Sequence, residues 1–203
     1  LLILTGALVA GLLAAPAQGQ GLMPAPPGTD PMRPGQVYRG DFPDPAVLRA
    51  RGRWYAYATS TADRHLPVLV SRDLVRWRVP RGVPDAMPRL PRWAKVRADG
   101  SGMNWAPSVV RAGRHRYVAA YSSQVPRRKL RMCLSLATSR SPLGPFVDRS
   151  RRPLLCPRRG VIDPQLYREQ GRWWLLYKTD DNTVGKPARI WVQPVDLRRR
   201  RLL

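Results

Sequence analysis

Asp44-Pro45-Ala46-Val47-Leu48, followed within a few residues by Gly52-Arg53-Trp54-Tyr55-Ala56-Tyr57, decides the fold because the chain repeats its pattern twice. Ala106-Pro107-Ser108-Val109-Val110 leads to Gly113-Arg114-His115-Arg116-Tyr117-Val118. Asp163-Pro164-Gln165-Leu166-Tyr167 leads to Gly171-Arg172-Trp173-Trp174-Leu175-Leu176-Tyr177. The three starts lie 62 and 57 positions apart. Each copy reads as a short apolar strand, a Gly-centred turn and a second strand of aromatic and other apolar residues, which is the composition of a β-hairpin. A third strand follows in every copy, at Leu66 to Ser71, Arg131 to Thr138 and Ala188 to Val195. Two connecting stretches, Ser71 to Trp77 and Ser139 to Phe146, end in an aromatic placed to begin an outer fourth strand.

Antiparallel units of three or four strands recurring about every 60 residues predict an all-β fold of propeller blades around a central channel. A sandwich or barrel also accounts for short strands, but not for the return of the same Pro-to-Gly spacing. In a propeller the innermost strands approach the axis, so Asp44, the Ala106 region and Asp163 are expected to converge. A proline disfavours helical backbone in the residue before it, so Pro45 is expected to hold Asp44 extended while Pro43 stiffens its approach. That would make Asp44 a pre-oriented base; the competing reading of Asp-Pro is an ordinary turn that starts a strand.

The 203 residues can bury one sizeable core, and 43% apolar against 24% charged residues excludes wholesale disorder. Residues 1–17 read as a signal peptide whose start is missing: Leu1 to Ala15 is nearly all apolar, short for a bilayer span, and Ala15-Pro16-Ala17 suits cleavage before Gln18. Residues 18–36 read as a Pro/Gly-rich linker and 37–203 as the propeller domain, in a protein expected to be secreted and extracellular. Cys133 and Cys156 suit one disulfide in such a protein, with two buried thiols as the alternative. The net charge of +23 comes from 32 Arg and 4 Lys scattered over turns and strand flanks, with no helical stripe or zinc-finger spacing. It therefore points to compositional bias and to attraction by acidic surfaces more than to a specific nucleic-acid partner.

Phe42-Pro43-Asp44-Pro45, Trp105-Ala106-Pro107-Ser108-Val109, Ala137-Thr138-Ser139 with Ser141-Pro142-Leu143-Gly144-Pro145-Phe146, and Ile162-Asp163-Pro164 follow one another in the order seen in glycoside hydrolase family 43. Ser71 to Trp77 and Lys178-Thr179-Asp180-Asp181-Asn182 extend the resemblance, which covers about residues 37–197. The resemblance implies a five-bladed β-propeller, of which about three blades are present, acting by inversion on arabinofuranosyl or xylosyl linkages of plant polysaccharides. It makes Asp44 the general base that activates water and Asp163 the aspartate that tunes the pKa of the acid. Inversion requires base and acid carboxyls far enough apart to admit a water, and the acid must stay protonated, which a nearby carboxylate promotes.

The family's general acid is a glutamate on a later blade. The only glutamate here, Glu169, falls beside the Gly171 turn and is expected to be solvated. The acid is thus absent, the chain is expected to be an N-terminal fragment cut at both ends, and by itself it is expected to be poorly folded and inactive. Trp105 is a candidate to stack on a sugar and Asn104 to hydrogen-bond a hydroxyl, with packing and turn-capping as their alternatives. His65 is placed to face the pocket. With two histidines and no ligand spacing, no metal site and no cofactor are expected. The partner is a cell-wall polysaccharide or oligosaccharide, and the alternative function is a carbohydrate-binding propeller without catalysis.

Overall fold

The computed structural model describes residues 35–126 and 131–203. The segment expected to be a signal peptide, and the expected linker as far as residue 34, lie outside the described residues. Ten strands form three antiparallel sheets. The first is β1 (Ala46–Ala50), β2 (Arg53–Tyr57) and β3 (Val68–Ser71); the second is β4 (Asn104–Gly113), β5 (Arg116–Gln124) and β6 (Met132–Ser139). The third is β7 (Val161–Glu169), β8 (Arg172–Thr179), β9 (Ile190–Asp196) and the two-residue β10 (Arg201–Leu202). These are the three repeats found in the sequence, and each is one blade. The outer fourth strands shrink in the first two blades to isolated bridges, Val70 with Arg78 and Pro67 with Asp85 in the first, Thr138 with Val147 and Leu134 with Leu155 in the second.

Tight turns fix the register of the first and third hairpins. Arg51-Gly52 and Gln170-Gly171 all have positive φ, the backbone that a two-residue hairpin turn with matching twist requires, and glycine adopts it without strain. The second hairpin differs. Its turn is Arg114-His115, and Gly113 belongs to the end of β4, so the Gly-centred turn expected there is not formed.

Alternation of side chains on the central blade divides the core in two. Tyr117, Ala119 and Tyr121 of β5 with Cys133 and Ala137 of β6 face the first blade, where they share a core with Tyr57 and Val68 and with Phe146 from the segment after β6. Val118, Ala120, Leu134 and Leu136 face the third blade, against Leu166, Leu175 and Tyr177. Successive residues of a strand point to opposite faces, so a sheet covered on both faces reads as continuously apolar. The Tyr57 hydroxyl donates to Pro142 O at 2.6 Å, and its ring meets Phe146 edge-on, tying the first blade to the second. Cys133 and Cys156 are disulfide-bonded, joining β6 to the segment that leads into β7. On the third blade Ile190, Trp191, Val192 and Tyr167 are exposed.

Between β3 and β4 the chain runs without a strand, yet Ala86, Met87 and Trp93 of this segment are buried in the first core. Asp85 anchors it, accepting hydrogen bonds from the backbone N–H of His65, Leu66 and Met87. His65 serves the same end, its ring nitrogens lying 3.2 Å from Met87 O and 3.1 Å from Gly100 O. It therefore ties down the connection and does not line the cleft between the inner strands.

Candidate active site

The inner strands β1, β4 and β7 lie side by side and line one cleft of about 630 Å³, with Asp44, Ala106 and Asp163 and their following prolines all on its wall. The convergence expected from the repeat is therefore present. Its backbone is not the expected one. Asp44, Ala106 and Asp163 have φ of 52°, 40° and 56°, in the left-handed region and not extended. The pairing ladder slips at two of these points, between Trp105 and Ser108 on β4 and between Ile162 and Gln165 on β7. Each slip encloses a proline, which cannot donate to the ladder, so the chain bulges there. The proline rule alone predicted an extended Asp44; instead its backbone is left-handed, like that of its counterparts at the two bulges. Aspartate tolerates the left-handed region better than most residues, and each non-glycine residue held there costs on the order of 1–3 kcal/mol.

Asp44 is exposed to the cleft and is held by one residue that the sequence analysis did not single out. Thr59 Oγ1 donates to Asp44 Oδ2 at 2.6 Å and accepts from the Ala106 N–H at 2.8 Å, so one hydroxyl joins the first inner strand to the second. The Thr59 N–H donates to Pro43 O and the Ser60 N–H to Asn104 O, closing the same seam. Asp163 is also exposed to the cleft, and its Oδ2 lies 3.6 Å from Lys178 Nζ. A pair this accessible contributes little to stability, about 0–1 kcal/mol, but it places a cation against the carboxylate. Thr59 and Lys178 each follow a turn glycine, Gly52 and Gly171, by seven residues. That repeated offset is the signal that could have found both.

The other candidates fall elsewhere. Asn104 is buried, its amide nitrogen 3.6 Å from Met87 Sδ and its Oδ1 without a partner, and it does not line the cleft. Trp105 is half-buried opposite Ser122 and also stands outside the lining. Both belong to the strand that carries Ala106, but the bulge between Trp105 and Ser108 interrupts the regular alternation from which their direction would be read. Glu169 is exposed at the far end of β7 opposite Arg172, six residues and about 20 Å of strand from Asp163. Among the described residues no group of three or more acidic, histidine or cysteine side chains is placed to hold a metal ion. No helix among them is long and apolar enough to cross a membrane.

Three antiparallel blades with two aspartates in equivalent left-handed backbone, one just ahead of β1 and one on β7 with β4 between them, define a propeller whose inner strands converge on one cleft. The profile of glycosyl hydrolases family 43 matches residues 35–202. The chain belongs to that family, whose propellers have five blades, of which about three are present here. A thermostable family-43 glycoside hydrolase superposes with a TM-score of 0.62 at 26% identity, over 80% of this chain and 50% of that one. An endo-arabinase from Bacteroides thetaiotaomicron gives 0.61 at 19% identity, over 82% and 55%. A xylan β-1,4-xylosidase from Bacillus halodurans gives 0.59 at 21%, over 83% and 32%. The chain thus spans about half the length of the first two solved relatives. No curated protein matches it.

Proposed function

We propose that this chain supplies the general base and the pKa-tuning aspartate of a secreted inverting glycosidase that cleaves arabinofuranosyl or xylosyl linkages of plant polysaccharides. The observation that carries the proposal is the presentation of Asp44 and Asp163, in the same unusual backbone conformation, on the wall of one cleft. Of the three inner-strand places with this backbone, two carry a carboxylate that faces the same cleft, and that selection motivates the catalytic reading. Asp44 as base takes a proton from the attacking water. Thr59, donating to one carboxylate oxygen, fixes the carboxylate plane and leaves Oδ1 to meet that water.

Asp163 adds negative potential to the cleft, which keeps a neighbouring carboxylic acid protonated so that it can protonate the departing sugar oxygen. That acid is not contributed by this chain, since Glu169 stands at the opposite end of its strand. By itself the chain is therefore expected not to hydrolyse glycosides. In the complete protein, Asp44→Ala should lower kcat by at least about 10²-fold, the lower range for a positioned base, with unfolding unchanged. Release of pentose from arabinan and xylo-oligosaccharides is the readout. Near-normal kcat in a folded Asp44→Ala protein would remove the base assignment, and binding without turnover in the unaltered protein would favour a non-catalytic carbohydrate-binding propeller.

A further inference from the structure

Asp180 is a charged side chain without an assigned purpose. It is 1% exposed, and neither carboxylate oxygen has a hydrogen-bond partner. It precedes the short 3-10 turn Asp181–Val184, where an aspartate commonly caps the free N–H groups, yet its side chain makes no capping bond. Its backbone is fixed: its N–H donates to Gly160 O at 3.2 Å, and its carbonyl accepts from Thr183 Oγ1 at 2.7 Å. A buried carboxylate left unpaired is costly, so an orphan of this kind calls for an explanation.

The surroundings supply one. Lys178 lies two residues earlier, and side chains two apart along extended chain share a face. Val161 pairs with Thr179 and Ile162 with Lys178, which sets the start of β7 and Asp163 alongside the same segment. Lys178 Nζ is 3.6 Å from Asp163 Oδ2 and 3.4 Å from Asn182 Oδ1. One ammonium is therefore held against a cleft carboxylate while its charge also acts on a buried one, and Asp163 acts on that buried carboxyl too. Resting on the catalytic reading above, we propose that Asp180 is a positioning residue for Asp163, acting through Lys178.

While Asp180 is protonated, Lys178 stays with Asp163 and offsets its charge. Once Asp180 ionises, it competes for the ammonium, and more of the Asp163 charge is felt in the cleft. Burial raises the pKa of Asp180; Lys178 opposes this, and Asp163 and Asp181 add to it. Asp181 is itself held to Arg159, with Arg189 nearby, while Asp44 and Arg111 share the cleft with Asp163.

The test is the pH dependence of kcat/KM for the complete protein beside Asp180→Asn, Lys178→Met and the double variant. Asp180→Asn is expected to remove one ionisation from the profile, and the Lys178→Met and double-variant profiles to coincide within about two-fold, as a coupling that runs through Lys178 requires. Superimposable wild-type and Asp180→Asn profiles would overturn the proposal. So would an Asp180→Asn effect that persists without Lys178. A second readout needs no turnover: carbon-detected NMR should show the Lys178 side chain titrating in step with the Asp180 carboxyl, and a Lys178 signal indifferent to Asp180 refutes the coupling even if Asp180→Asn fails to fold. Coupling seen by NMR in a protein that hydrolyses no glycoside would discard the catalytic reading and leave the Asp180–Lys178–Asp163 link standing.

Discussion

Replacing Thr59 by valine removes a hydroxyl and little else, which makes it a sharp probe of how the first two blades present Asp44. The hydroxyl donates to the Asp44 carboxylate at 2.6 Å and accepts from the Ala106 N–H at 2.8 Å, so two bonds are lost together. A hydrogen bond to a charged group contributes about 1.5–3 kcal/mol; the exposure of Asp44 to water sets this one at the low end. The half-buried Ala106 N–H, left without an acceptor, adds about 1 kcal/mol. Thr59→Val should therefore lower unfolding free energy by about 2–2.5 kcal/mol, and Thr59→Ser, which keeps the hydroxyl, by less than half of that. Urea unfolding of the complete protein with both variants measures the difference. Catalysis should respond in the same order, since a carboxylate free to rotate loses its aim; kcat should fall about tenfold for valine and little for serine. A valine variant within about 0.5 kcal/mol of wild type, or a serine variant as impaired as the valine one, would refute the argument that this hydroxyl joins the blades.

Asp148 should be the most damaging acidic residue to truncate for stability, because its buried carboxylate accepts from Tyr121 OH, Ser135 Oγ and the Ser150 N–H and faces Arg200 at 3.9 Å. Asp148→Ala is expected to cost about 3–5 kcal/mol in denaturant unfolding, and a loss below about 1 kcal/mol would contradict that network. Opening the Cys133–Cys156 bond by a paired Cys→Ser substitution removes a closure over 23 residues and should cost about 3 kcal/mol, read as a lower unfolding midpoint in the absence of reductant. For Asp180 the sign follows from its raised pKa: the folded state keeps a proton that the unfolded state loses near 3.8, so its contribution is full below that value and declines as pH rises towards the folded value. Asp180→Asn should accordingly gain on wild type from about pH 4 upward and then level off, whereas a difference independent of pH would contradict it.

Much of this was legible because repetition exposes geometry. Asp44 and Asp163 could be matched from sequence, since each begins a unit with the same distance to a turn glycine, and the structure puts both on one wall. The residues that serve them were not legible. Thr59 and Lys178 differ in chemistry and stand on second strands, so only the shared offset from Gly52 and Gly171 connects them. Asn104 and Trp105 fall outside the cleft lining although their strand carries Ala106, and their direction was not legible because a bulge between Trp105 and Ser108 interrupts the alternation. His65 and Asp85 were illegible as a pair because the segment they anchor has no strand pattern, although it buries Met87 and Trp93.

Ala106 separates what the fold requires from what the chemistry requires. It has the same left-handed backbone, bulge and following proline as Asp163, yet its methyl group has no charge to aim. The bulge is therefore a property of the blade, formed where the inner strand bends around a proline that cannot join the ladder. What distinguishes the first and third blades is the side chain placed on that bend and the partner across from it. Thr59 faces Asp44 and Lys178 faces Asp163, while the matching position on the second blade is Ser122, whose buried hydroxyl has no partner. The scaffold would thus present any short side chain at these points, and two of the three have been given a carboxylate with a group to hold it. That is why the site can be argued from the repeat: the backbone supplies three equivalent places at the axis, and the departures from equivalence at those places locate the proposed chemistry.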